Sequence, residues 1–412
     1  MTLSLQKYLI GESNSCFNFK IIIEVYMKRT LINIAILSTI LGTGIAQAGG
    51  IDRSGQGTSI ILKEGNLLEI TSVSVSPKVT GKYTYGFSGG VITDVTPDYS
   101  FTNLAFRTDI SDDMALAIIQ DEPYGANVSW TDGTATDYTA DPVVALSYNG
   151  VKAEIKSNAT TVLVSYDSAD NFTVYGGLKN QSVSATSTNP LAGMYSIVAK
   201  EDSSIGYVLG AAIEKPEIAM RVALTYHSKV SHDLTVMESS VIGANQPSTL
   251  SFDTPEAYNL DFQTGIAANT LLFGSIRHVN WKQFLLKPDH YFATTKYLDA
   301  ATNGAPGTGK ALKKYDNNTT TYSLGLGRKF NDQWSAAVTY GTEAAEGTLG
   351  GPLGPTDGFS KTGVGVTYTG EKATVTLGVQ KVNNGDVGLD PIPGTMSGNT
   401  TLVTAVKIGY KF

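Results

Sequence analysis

The stretch that decides the fold is Thr401–Phe412, TLVTAVKIGYKF. Leu402, Val406, Ile408, Tyr410 and Phe412 share one parity, and Thr401, Val403, Ala405, Lys407, Gly409 and Lys411 share the other. A period of two belongs to an extended chain whose side chains point alternately to opposite faces. The pattern recurs upstream. Tyr322, Leu324, Leu326 and Phe330 oppose Ser323, Gly325, Gly327 and Lys329, and Ala373, Val375, Leu377 and Val379 oppose Thr374, Thr376, Gly378 and Gln380. Ile218, Met220, Val222, Leu224 and Tyr226 likewise oppose Glu217, Arg221, Thr225 and His227. Beyond residue 66 this alternation dominates, so the chain reads as all-β.

Alternation fits a soluble sandwich with its apolar face inward, or a membrane barrel with that face toward lipid. The connections separate the two. Tight links near Ser111-Asp112-Asp113, Ser168-Ala169-Asp170, Lys215-Pro216, Ala267-Ala268, Asn331-Asp332 and Gly370-Glu371 alternate with long polar connections. The long ones lie near 84–98, 130–150, 183–203, 229–253, 284–318, 343–360 and 384–399. Short turns on one side and long loops on the other characterise outer-membrane barrels. The segments number about fourteen, an even count of the kind single-chain bacterial barrels have. Tyr83, Tyr85, Tyr99, Trp130, Trp281, Phe330, Trp334, Tyr368, Tyr410 and Phe412 fall near strand ends, where interfacial aromatic girdles are expected.

Composition agrees. Of 412 residues only 16% are charged, while Gly numbers 43 and Tyr 21. That is too apolar for a disordered chain, and Gly-, Tyr-, Thr- and Val-rich sequence suits twisted β-structure. A formal net charge of −7 argues against nucleic-acid binding. The single cysteine, Cys16, excludes a disulfide framework and a thiolate metal site. His227, His232, His278 and His290 are too scattered for a metal site of usual spacing. Neither a G-x-S-x-G elbow nor a P-loop is present, so the expectation is a non-enzyme without cofactor or metal.

Residues 1–48 read as an export signal. Lys28 and Arg29 form a positive region, Leu31 to Ile45 an apolar core, and Ala46-Gln47-Ala48 a cleavage site. Met27 is the expected true start, because the residues before it would make an unusually long leading region. Cleavage after Ala48 removes four basic and two acidic residues from 30 and 37, leaving 26 and 35. The exported chain is therefore acidic and free of cysteine.

Six patches in chain order resemble the FadL family of outer-membrane transporters for long-chain fatty acids and other hydrophobic compounds. They are Asp52-Arg53-Ser54-Gly55-Gln56-Gly57, Lys63-Glu64-Gly65-Asn66, Val75-Ser76-Pro77-Lys78-Val79-Thr80-Gly81, Gln120-Asp121-Glu122-Pro123-Tyr124-Gly125-Ala126-Asn127, Asp261-Phe262-Gln263-Thr264-Gly265 and Trp281-Lys282-Gln283-Phe284. The family's Asn-Pro-Ala tripeptide is missing near residue 66, where Gly65-Asn66-Leu67 stands. The resemblance implies a fourteen-stranded antiparallel transmembrane β-barrel over 67–412, with an N-terminal hatch over 49–66 in its lumen. It further implies a monomer in the bacterial outer membrane, capture of a long-chain fatty acid by external loops, and passive lateral release at a kink in the third strand.

Individual residues carry these expectations. Ser54, Gly55, Gln56 and Gly57 lie in a glycine-rich, non-alternating segment, suited to a compact plug or to a loose periplasmic tail. Pro123, between an apolar strand and Tyr124-Gly125, either breaks pairing in the wall as a lateral gate or merely ends the strand at the interface. Leu191, Met194, Tyr195 and Ile197 make the 183–203 connection unusually apolar, as a substrate-capture loop or a lid over the mouth would be. A fatty acid's carboxylate needs a cation in an apolar lumen. Arg107, Arg221 and Arg277 are candidate partners, with lumenal ion pairs as the plainer account. A general diffusion porin for small polar solutes and an adhesive barrel remain as alternative functions.

Overall fold

A computed structural model describes residues 50–84, 91–130, 148–168, 171–304, 306–347 and 349–412. The export signal, its cleavage site, Tyr85 and the Ala169-Asp170 link lie outside the described residues. The chain forms a closed fourteen-stranded antiparallel barrel with the hatch inside it. Its strands are β1 Leu67–Lys78, β2 Tyr99–Asp109, β3 Met114–Asp121 continued by Gly125–Ser129, β4 Lys152–Ser168, β5 Phe172–Asn189 and β6 Tyr195–Lys215. They continue as β7 (Met220–His227 with Val230–Ser240), β8 (Gly243–Thr254 with Ala257–Ala267) and β9 Thr270–Val279. The last five are β10 Thr319–Lys329, β11 Trp334–Glu343, β12 Phe359–Thr369, β13 Ala373–Asn384 and β14 Thr400–Lys411. Neighbours in sequence pair, and β1 pairs with both β2 and β14, so no edge is left over. Closure matters in lipid, where an unpaired N–H or C=O has no water to turn to.

The alternation reads inside out, as lipid requires. Leu402, Val406 and Ile408 of β14 and Leu324 and Leu326 of β10 are exposed on the outside, while Lys407, Thr401 and Lys329 are buried within. Phe330, Trp334, Tyr368, Tyr410 and Phe412 ring the short-turn end as expected, all exposed. A second ring of Tyr207, Tyr258, Tyr322 and Tyr340 sits further along the strands. Tyr83, Trp130 and Trp281 are corrections: they are buried at 5%, 1% and 1% exposure, packed under the external connections rather than set in a girdle. Strand-end position alone does not tell an inward ring from an outward one.

Two of the long connections are also corrected. The 183–203 and 229–253 stretches are mostly strand: β5 and β6 turn over at Pro190–Ala192, and β7 and β8 turn over between Ser240 and Gly243. These hairpins stand beyond the other external ends with polar outer faces, so their alternation resembles loop sequence. The 284–318 connection does carry its own structure, a two-residue ribbon and helix α1, Asp289–Asn303. Glu238, buried on β7, accepts the α1 backbone N–H of Tyr291 at 3.0 Å and the Tyr195 hydroxyl at 2.8 Å, fixing that cover to the hairpin.

Candidate functional site

The wall is broken at the third strand. Asp121 pairs with Ala159 of β4 and Gly125 with Lys156, which leaves one more residue on β3 than on β4. The bulge flips the phase: Ala115, Ala117, Ile119 and Asp121 are buried inward before it, Tyr124 and Val128 after it. Pairing with β2 stops at Gln120, opposite Leu104, so Tyr99–Asn103 lose their β3 partner. Pro123 has no N–H to donate and sits at the centre of this bulge.

The hatch fills that place. Gly125 N–H donates to the Ile51 carbonyl at 2.8 Å, Arg53 N–H to Pro123 at 2.9 Å, and Ser54 N–H to Glu122 at 3.1 Å. Residues 51–54 thus act as a short substitute strand along the free edge. Their side chains add to the seal. Arg53 pairs with Glu122 at 3.1 Å and lies 4.3 Å from the Tyr99 ring centre, and Ser54 Oγ donates to the buried Asp121. A Cβ on Gly125 would run into the Arg53 guanidinium, so a side chain there would have to push Arg53 from its place beside Glu122. Behind the seal the chain turns at Gly55 and Gln56, with φ of 68° and 53°. Gln56 donates to Tyr124 Oη at 3.0 Å and accepts from Lys179 at 3.0 Å. Gly57 needs no such freedom, since a Cβ there would meet open space.

All three candidate arginines point into the lumen, and all three grip the hatch. Arg277 clasps both Asp52 oxygens, at 2.5 and 3.1 Å, and donates to Asn259 at 2.8 Å. Arg107 donates to the Gly65 carbonyl and to Asp109, both at 2.6 Å, and Arg221 donates to the Leu62 carbonyl at 2.9 Å. Each has a carboxylate within ion-pair distance, and beyond the lumenal ion pairs of the plainer sequence reading Arg107 and Arg221 also bond to backbone carbonyls of the hatch.

A cation that sequence reasoning missed stands elsewhere. Just outside the hatch, beside the broken strand, lies an apolar cavity of about 60 Å³. Ile51, Tyr124, Phe252, Phe284, Leu250 and Leu286 help to line it. A second cavity of about 160 Å³ shares Ile51, Ala126, Val128, Lys313, Tyr315 and Leu353 with it. The Lys313 ammonium lies 4.5 Å from the Tyr315 ring centre. Among the described residues no carboxylate lies within ion-pair distance of it. Burial pushes its pKa below the ordinary lysine value, against the opposing pull of Glu346 and Asp316. Lys313 belongs to the irregular 284–318 connection, where no periodicity shows which way a side chain points.

A blocked bore, a third strand broken at Pro123, and a hatch segment lying along the break are the features to set beside known structures. A FadL homologue from Pseudomonas aeruginosa superposes with a TM-score of 0.68 at 14% identity, covering 92% of this chain and 98% of its own. The Pseudomonas putida toluene transporter TodX gives 0.58 at 12% identity, covering 85% and 91%. The Ralstonia pickettii toluene transporter TbuX gives 0.56 at 12%, covering 90% and 98%. This chain has the FadL-type fold. No family model and no curated protein matches its sequence.

Within this FadL-type barrel the four apolar residues expected to form a capture loop are not brought together. Tyr195 and Ile197 belong to β6 and are buried, and Tyr195 stacks edge-on to Tyr291 at 4.7 Å. Leu191 is half-buried against a different cluster, which includes Trp130 and Tyr148. Met194 alone is open to the outside, at 68% exposure, with Val241 and Ile242 of the next hairpin tip also exposed.

Proposed function

We propose that the protein takes up long-chain fatty acids or similar hydrophobic compounds across the bacterial outer membrane. The ligand meets the exposed tips at Met194 and Val241, enters the apolar cavity, and leaves sideways through the β3 break when residues 51–54 withdraw. The observation that carries this reading is the position of the cavity. Ile51 lines it and, through its carbonyl, also holds Gly125 at the break. A ligand that displaces Ile51 therefore loosens the seal through which it would depart. The filled lumen counts against a general diffusion porin, which needs an open water path.

Lys313 gives the reading its chemical class. A cation at the border of an apolar cavity suits a molecule with a long apolar body and one carboxylate, and a charge-assisted hydrogen bond of this kind contributes about 1.5–3 kcal/mol. Lys313→Met should weaken binding of hexadecanoate to the purified protein about 10- to 100-fold and leave hexadecane binding unchanged. Wild-type hexadecanoate affinity should also fall as pH rises through the lowered Lys313 pKa, because the ammonium is lost there. Equal affinity of variant and wild type for hexadecanoate would rule out the carboxylate reading. Mass spectrometry of lipids extracted from mildly purified protein checks the ligand class directly.

A further inference from the structure

The wall has a second irregularity, between β6 and β7. Below it Val208 pairs with His227, above it Ala199 pairs with Val236, and all four face inward. Between these ladders each strand changes phase, but at different heights. On β7 the change falls at the consecutive buried residues His227 and Ser228, and on β6 at the consecutive exposed residues Lys200 and Glu201. The β5–β6 register shifts at the same place, between Val183 and Ala185. In the interval exposed Glu201 and Ser203 stand against buried Leu234 and His232, and buried Gly206 stands against exposed Lys229. Opposed residues of an antiparallel ladder must share a face. From Lys200 to Gly206, β6 accordingly has no paired position on β7, and at Tyr207 a single backbone bond remains, from the Ser228 N–H to the Tyr207 carbonyl at 3.0 Å.

Side chains replace part of the lost ladder. Ser228 Oγ accepts the Tyr207 backbone N–H at 2.9 Å. The Asp202 carboxylate accepts the Asp233 N–H at 3.4 Å and lies 3.2 Å from His232 Nδ1. Inside, the seam borders the same apolar cavity: Val183, Ala199, Leu234 and Thr254 are among its lining residues. Outside, Ile205 is 71% exposed and Leu178 62% exposed, so apolar surface reaches the seam from the membrane side, while Glu201, Ser203, Lys229, Ser231 and Asp233 give its outer rim a polar face. It lies on the external side of Tyr207 and Tyr226, where a molecule arriving from outside first meets the membrane.

We infer that the β6–β7 seam is a second lateral port, through which a hydrophobic chain already dissolved in the outer leaflet enters the apolar cavity. The inference rests on the reading that this cavity holds the ligand. It differs from that reading in the route, since access is from lipid and not only from water. Facing out-of-phase strands open at less cost than a ladder, because few backbone bonds are broken.

The test places the full chain in lipid vesicles containing hexadecanoic acid that bears a photoreactive diazirine. Ser203→Cys and Ser231→Cys, both at exposed positions, are joined across the seam by a short reducible bis-thiol linker. Linking should lower the initial rate of photolabelling at Leu234 and Phe252 at least fivefold, and reduction should restore it. An unchanged rate overturns the port while leaving the cavity as the ligand site. Absence of cavity label in the wild type as well removes the cavity reading, and the port with it. Hydrogen exchange on the unmodified protein is an independent check. Those amides of 201–206 and 229–235 that point across the seam, rather than toward β5 or β8, should exchange at least tenfold faster than those of 209–213 and 220–226, and equal protection of these amides would mean that no seam exists.

Discussion

Asp52 and Arg277 are nearly the whole of the charge contact between the tip of the hatch and the ninth strand. Both are largely buried, so removing one partner strands the other in a low-dielectric interior, at about 3–5 kcal/mol. Asp52→Ala should therefore loosen the hatch without unfolding the barrel. Hydrogen exchange over residues 50–66 should rise, and ion conductance in a planar bilayer should increase. Unchanged exchange would mean that the hatch is held by its other contacts alone. Alternation was enough to turn Arg107, Arg221 and Arg277 toward the lumen, since parity fixes a face. It was not enough to say what they meet, because the hatch that receives them carries no period. Lys313 escaped notice for the same reason, lying in a connection whose course depends on tertiary packing.

At the scale of elements the third strand was readable, because proline has no N–H and leaves a mark in any ladder. What could not be read was that residues 51–54 would line up along the break, which is a contact between segments about 70 positions apart. Deleting Pro123 removes the extra residue and should let β3 keep its phase and its pairing with β2 beyond Gln120. The barrel should still fold and retain its resistance to detergent, while uptake of radiolabelled oleate falls at least tenfold. Normal uptake by the deletion variant would separate the bulge from transport. The β6–β7 seam left no comparable mark. Neither Lys200-Glu201 nor His227-Ser228 contains a proline or glycine, and only the change of buried parity reveals the shift. The tall hairpins of β5–β6 and β7–β8 were hidden differently, by polar outer faces that imitate a loop.

For the whole molecule, the inverted alternation of about fourteen strands was legible from sequence, and the division into short turns and long connections only in part, since 183–203 and 229–253 are mostly strand. The arrangement that makes such a barrel a conduit was not, for it consists of what fills the bore and where the wall is discontinuous. The central claim is that the hatch is a movable seal on the β3 break. Ser54 and Asp121 already touch across that seal, so cysteines at both positions can be joined by a short reducible linker. Oleate uptake by cells carrying this variant is the most direct measurement. It should be abolished when the two positions are linked and return when the linker is reduced, whereas uptake that proceeds equally in both states would contradict the account.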